Sequence, residues 1–188
     1  MKLIISFFIN SNIWVAFCIL GLVFSSEILL GVTNFQVSQF VFFSTILAYN
    51  FQRLVSLKKG HTHSYNDWLE KNRKSIYLLM FLAANVSAYL FFHFKLSTQI
   101  AILFIGTLSF FYPFGLRKIP FAKIFIISFV WAVSTIMLFV FENNITISQN
   151  IICKFISLFL FVFAITIPFD IRDLQYDTKN IVTIPLFF

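Results

Sequence analysis

An all-α, polytopic transmembrane helix bundle is the fold class this sequence predicts, and three observations predict it. The 188-residue chain is 60% apolar and only 11% charged, with a mean hydropathy of +0.90, whereas a water-soluble domain carries about 25% charged residues. Its apolar residues gather into runs near the roughly 20 residues that a helix needs to cross a bilayer. Its basic residues fall mainly in the short segments between those runs, the distribution that sets orientation in membrane proteins. A disordered chain is excluded by the same figures, because disorder needs low hydrophobicity and high charge.

Six runs qualify as spans: Ile13 to Leu30, Val37 to Leu57, Ile76 to Phe94, Leu96 to Phe114, Ile119 to Phe141 and Ile151 to Phe169. In hydrocarbon every backbone polar group needs an internal partner, and a helix supplies one for each. None of the runs has the short apolar and polar alternation of an outer-membrane barrel strand. No repeat period and no low-complexity linker interrupts the series, so residues 1–188 read as a single domain.

The loops orient the bundle. Lys58, Lys59, Lys71, Arg73 and Lys74 follow the second span, with Arg53 at its edge, and Arg117, Lys118 and Lys123 follow the fourth. The opposite loops are nearly free of charge, which places the basic loops, the N-terminus with Lys2 and the tail after span six in the cytoplasm. A bacterial inner-membrane location follows as the expectation. The net charge of +7 belongs to this topology, and no nucleic-acid partner is expected. Met1-Lys2 followed by Leu3 to Ile9 looks like the start of a signal peptide, but no small-residue cleavage site follows, so retention is expected.

Several smaller features have bland readings. Cys18 and Cys153 lie in apolar runs far apart and read as packing residues. The segment Lys58 to Lys74 is long enough for a short helix with its turns. His61-Thr62-His63 within it has no further His or Cys nearby, so it reads as a solvated loop in preference to a metal site. Glu27 is the one acid well inside an apolar run. It reads either as a functional intramembrane carboxylate or as a side chain that reaches the headgroups beside Ser25 and Ser26.

The strongest chemical signal is at the end of span six. Of the seven acids in the chain, Asp170, Asp173 and Asp177 fall within eight positions. At helical spacing these positions share one face. They also lie near a helix C-terminus, where the backbone dipole already disfavours negative charge, so a cation should compensate them. Mg²⁺ suits the donor set, since it takes oxygen ligands from one or two carboxylates together with substrate phosphates. The bland alternative is a solvated helix exit neutralised by Arg172 and Lys179. Pro168 just before the cluster favours the metal reading by loosening the helix at that depth.

The stretch Pro168-Phe169-Asp170-Ile171-Arg172-Asp173-Leu174-Gln175-Tyr176-Asp177, with Lys179 and Thr183-Ile184-Pro185 after it, resembles the second aspartate-rich motif of the UbiA superfamily of intramembrane prenyltransferases. In that family the motif follows the sixth of nine helices on the cytoplasmic side, where the loop charges independently put it. Tyr112-Pro113-Phe114-Gly115-Leu116-Arg117-Lys118 is similar to the family's Tyr-Pro segment ending in Lys-Arg. Leu116 replaces the usual Lys, and Arg117 retains the Arg. Asn50 stands where the family's first motif begins. There the chain departs from the pattern: Asn50-Phe51-Gln52-Arg53-Leu54 replaces Asn-Asp-x-x-Asp, and both carboxylates are gone. Arg53, one turn after Asn50, is placed to meet phosphate oxygens with its planar fork instead.

The resemblance covers the whole chain but matches only the first two thirds of a nine-helix fold, and so implies a C-terminally incomplete member. It implies Mg²⁺-dependent transfer of a prenyl group from a prenyl diphosphate to an aromatic or other lipophilic acceptor. Asp170, Asp173 and Asp177 would hold the metal and serve as the catalytic carboxylates, with Asn50, Arg53, Tyr112, Arg117 and Lys118 binding the diphosphate. The competing expectation is a non-catalytic, truncated multispan protein that binds lipid or diphosphate, or a transporter fragment. Transport predicts polar residues spread through several spans, and here they concentrate at the cytoplasmic rim.

Overall fold

The computed structural model describes residues 2–58, 66–114 and 122–173, apart from the side chains of residues 2, 3, 66, 170, 172 and 173. All regular structure among the described residues is helical. Five helices are long and apolar enough to cross a membrane: Ile13–Leu30, Phe35–Lys58, Arg73–His93, Ala122–Glu142 and Gln149–Phe169. The fourth expected span is shorter than its apolar run. Its helix, Leu96–Phe111, has 16 residues, about 24 Å against a hydrocarbon core of roughly 30 Å. Pro113 explains the early stop. It cannot donate an N–H, it biases Tyr112 away from helical geometry, and residues 112–114 form a turn instead.

The chain forms two compact units, residues 1–99 and 100–188. The first contains α1 (Lys2–Asn10), α2 (Ile13–Leu30), α3 (Phe35–Lys58), α4 (Asn66–Lys71) and α5 (Arg73–His93). Helix α3 packs against both α2 and α5. On α2 the buried residues are Ala16, Ile19, Val23 and Ser26, a heptad-like spacing that keeps one seam towards its neighbour. Lipid is as apolar as Leu, so membrane helices gain little by segregating hydrophobes and associate through close backbone approach at small residues. Ala16 and Ala83 flank Ile46 in this way at the meeting of α2, α3 and α5.

Gly31, at φ +67°, ends α2 in the left-handed conformation that glycine adopts without a Cβ penalty. The N–H groups of Gly31 and Val32 return to Ile28 O and Glu27 O, a Schellman-type closure. At the other end of the unit, α4 supplies the short helix expected between Lys58 and Lys74. Its Leu69 is fully buried with Leu54 and Ile76, and Trp68 meets Phe7 of α1 with ring centroids 5.7 Å apart. The loop helix is therefore docked on the ends of α3 and α5.

Helix α6 (Leu96–Phe111) leads into the second unit. There α7 (Ala122–Ala132), a π-helical turn (Val133–Met137) and α8 (Leu138–Glu142) make one continuous rod, and α9 (Gln149–Asp173) packs against α7. Phe125 meets Phe159 and Phe163, and Phe129 meets Phe155. The buried hydroxyls of Ser128, Thr135 and Thr166 each donate to the carbonyl four residues back. For Thr135 that carbonyl is Trp131 O, at 2.7 Å. Such back-bonding competes with the helical ladder and bends helices. The ladder widens at this point, with Leu138 N–H reaching Val133 O five residues back.

The two cysteines differ from expectation. Cys18 and Cys153 are both exposed, because each lies off the buried seam of its helix. The buried positions of α2 are 16, 19, 23 and 26, and Ile151 rather than Cys153 is buried at the start of α9.

Candidate functional site

The candidate residues divide between the two units. In the first, α1 and α2 are separated by Ser11 and Asn12, and Asn12 takes φ +62°, a left-handed conformation that Asn tolerates better than most residues. Asn50 of α3 is fully buried against this break. Its Nδ2 donates to Ser11 O and to Ile46 O, both at 2.8 Å, and its Oδ1 accepts from Asn12 Nδ2 at 3.2 Å. Both amide protons are thus committed inside the unit. Arg53, one turn on, donates from Nη1 to Asn10 O at 2.6 Å. A guanidinium at the carbonyl end of α1 is favourably placed in the helix dipole field.

Two of the five residues expected to bind diphosphate, Asn50 and Arg53, therefore fix a helix break in the described conformation. Their partners Asn10, Ser11 and Asn12 were not singled out by the sequence reading. The available signal was three consecutive polar residues between the apolar stretches Leu3 to Ile9 and Ile13 to Leu30. Ser11 Oγ and Asn12 Oδ1 are buried there without a hydrogen-bond partner.

Glu27 has a role that neither sequence reading foresaw. Its Oε1 accepts the Ser38 hydroxyl at 2.7 Å and the Asn34 N–H at 3.1 Å. Asn34 Oδ1 in turn accepts the N–H groups of Gln36 and Val37, so it caps α3 in the manner of an N-cap residue. The carboxylate lies at the positive end of the α3 dipole and clasps the α2–α3 loop. The Asn12–Asn50 pair joins the same two helices at their opposite ends.

In the second unit Tyr112 is buried, with 8% of its surface exposed, and its N–H closes on Leu108 O at the end of α6. Arg117 and Lys118 lie outside the described residues. The loosening expected at Pro168 does not interrupt α9, which continues through it to Asp173, although Pro168 cannot donate to the Ala164 carbonyl. Positions 170 and 173 are consequently one turn apart on a single helix, immediately beyond the span that ends at Phe169. Asp177, His61 and His63 lie outside the described residues, as do the side chains of Asp170 and Asp173. Among the described residues no three His, Cys, Asp or Glu side chains are grouped to hold a metal.

No family model, curated protein or solved structure matches the chain.

Proposed function

We propose that the chain is an integral membrane prenyltransferase that binds a prenyl diphosphate through Mg²⁺ at the end of α9 and serves a lipophilic acceptor. The observation that supports this reading is the helical continuity of α9 through Pro168 to Asp173. It keeps two acidic positions three residues apart, on one face, at the edge of the apolar span. Carboxylate oxygens are hard donors of the kind Mg²⁺ prefers, and the carbonyl end of a helix adds to the negative potential.

Asp170, Asp173 and Asp177 are the residues that would hold the ion, and when bound it supplies positive charge against a leaving diphosphate. Arg117 and Lys118 bring further charge to the diphosphate oxygens, with Arg117 able to engage two of them through its planar fork. Tyr112 anchors the start of that basic loop at the end of α6. Asn50 and Arg53, in the first unit, hold the α1–α2 break. In this reading the N-terminus, the loop at residues 58–74 and the aspartates face the cytoplasm of a bacterial inner membrane, in keeping with the basic loops.

Titration of the detergent-purified chain with farnesyl diphosphate, with and without Mg²⁺, tests the proposal. The expected result is Mg²⁺-dependent binding that both Asp170→Asn and Asp173→Asn weaken at least tenfold. Equal binding without Mg²⁺, or no binding by a chain with a cooperative thermal transition, would favour the non-catalytic membrane-protein reading.

A further inference from the structure

Helix α5 has two faces of opposite character. Ile76, Ala83, Ser87 and Leu90 are buried, and α5 packs against α3. On the other side Leu78, Phe81, Leu82, Tyr89 and Phe92 are exposed. At 100° per residue these five positions fall within one stripe about 100° wide. Asn85 is exposed and lies near the middle of that stripe, opposite the buried face.

Asn85 is also near the middle of the span. Helix α5 runs from Arg73 to His93, so its centre is residue 83, and Asn85 lies about 3 Å along the axis from it. The two ends carry interfacial groups. Arg73 lies over the Tyr77 ring at 5.4 Å, and Tyr89 meets His93 with ring centroids 4.4 Å apart. Amphipathic aromatics and cations of this kind mark the membrane–water boundaries. Asn85 Nδ2 donates to Phe81 O at 2.7 Å, which satisfies one amide proton. Among the described residues the second proton and Oδ1 have no partner, and a polar group in hydrocarbon is costly without one.

We infer that the Asn85 face of α5 is a homodimer interface within the membrane. The proposed occupant is a second copy of this chain, and the carboxamide is the reason. Two copies in one bilayer share orientation, so a two-fold axis along the membrane normal brings Asn85 opposite Asn85 at the same depth. A carboxamide with one proton and one oxygen to offer is self-complementary, and the pair closes with two reciprocal hydrogen bonds. A different partner would need its own polar group at the same depth. Phe81, Leu82 and Phe92 flank the pair with apolar surface. This inference depends on the membrane-spanning character of α5 and not on the prenyltransferase reading.

The test uses the full chain in lipid vesicles, with Cys18→Ser and Cys153→Ser removing the two native thiols. Energy transfer between donor- and acceptor-labelled chains is followed as the protein-to-lipid ratio is varied, and disulfide capture is compared for Leu82→Cys and Ile28→Cys. Ile28 is exposed on α2 of the same unit. The expected result is a dimer captured through position 82 and not through position 28. Asn85→Leu should weaken it roughly three- to thirty-fold, the range of interhelical polar contacts in membranes, and Asn85→Gln should retain most of the association. Leucine is well tolerated facing lipid, so loss of the dimer in Asn85→Leu is not confounded by misfolding. A wild-type chain that stays monomeric at every ratio, including one whose α5 face is covered by another segment or protein, would overturn the proposal. So would undiminished association of Asn85→Leu, or capture through position 28 alone.

Discussion

Replacing Asn50 with leucine removes the polar groups that tie α3 to the α1–α2 break while keeping the number and branching of the side-chain heavy atoms. The structure gives the size of the effect. Asn50→Leu abolishes three hydrogen bonds at a position with no solvent exposure. Ile46 O retains its place in the α3 ladder, so two groups are newly stranded, Ser11 O and Asn12 Nδ2. Each buried unpaired group costs about 1–3 kcal/mol. The extra apolar burial of leucine and the modest worth of hydrogen bonds inside membranes pull the sum down. A net loss of about 2–4 kcal/mol follows, or roughly 5–15 °C in Tm for a chain of this length. Thermal unfolding in detergent without any diphosphate present reads it directly. Protease cleavage near Asn10 should accelerate in parallel, because α1 loses its attachment at the break. Asn50→Asp should be at least as harmful, since a carboxylate has no proton for Ser11 O. A Leu variant within about 0.5 kcal/mol of the parent would refute the assignment of Asn50 to the fold.

Two further substitutions probe the rest of the first unit. Glu27→Ala deletes the acceptor for Ser38 and Asn34 and should cost about 1–2 kcal/mol, less than a fully buried charged pair because the group is half-exposed. Glu27→Gln keeps an acceptor oxygen and should cost under about 1 kcal/mol; equal stability of the Ala variant and the parent in thermal unfolding would remove the clasp. Leu69→Ala empties a fully buried position between α3 and α5, with an expected loss of about 2–4 kcal/mol. Hydrogen exchange should show the backbone of α4 opening first, whereas unchanged protection there would mean that the loop helix is not held by Leu69.

The spans were legible because their signal is long and additive: each is a run of apolar residues, and no single residue decides it. Leu96–Phe111 ran short of its apolar run because Pro113 overrides hydropathy at one position, and the same local chemistry was visible in the sequence. Asn10-Ser11-Asn12 was also visible, but its meaning depends on Asn50, 38 residues away from Asn12, a pairing that no local pattern encodes. Glu27 shows the same limit. Its two sequence readings assumed lipid or water around the carboxylate, while its partners come from the following loop and from Ser38. The π turn at Val133–Met137 had Ser134 and Thr135 as its local signal, and such residues within a helix more often leave the ladder unaltered. Asp170 and Asp173 were placed by their spacing, and the continuity of α9 past Pro168 preserves that spacing.

The central claim is that the end of α9 holds a divalent ion together with a diphosphate, and Mn²⁺ in place of Mg²⁺ tests it most directly. With farnesyl diphosphate added, the account predicts a bound Mn²⁺ whose electron-nuclear double resonance spectrum shows coupling to ³¹P. That coupling should disappear in both Asp170→Asn and Asp173→Asn, with their thermal transitions unchanged. A spectrum without phosphorus coupling in the parent chain, or one that persists in both variants, would contradict it.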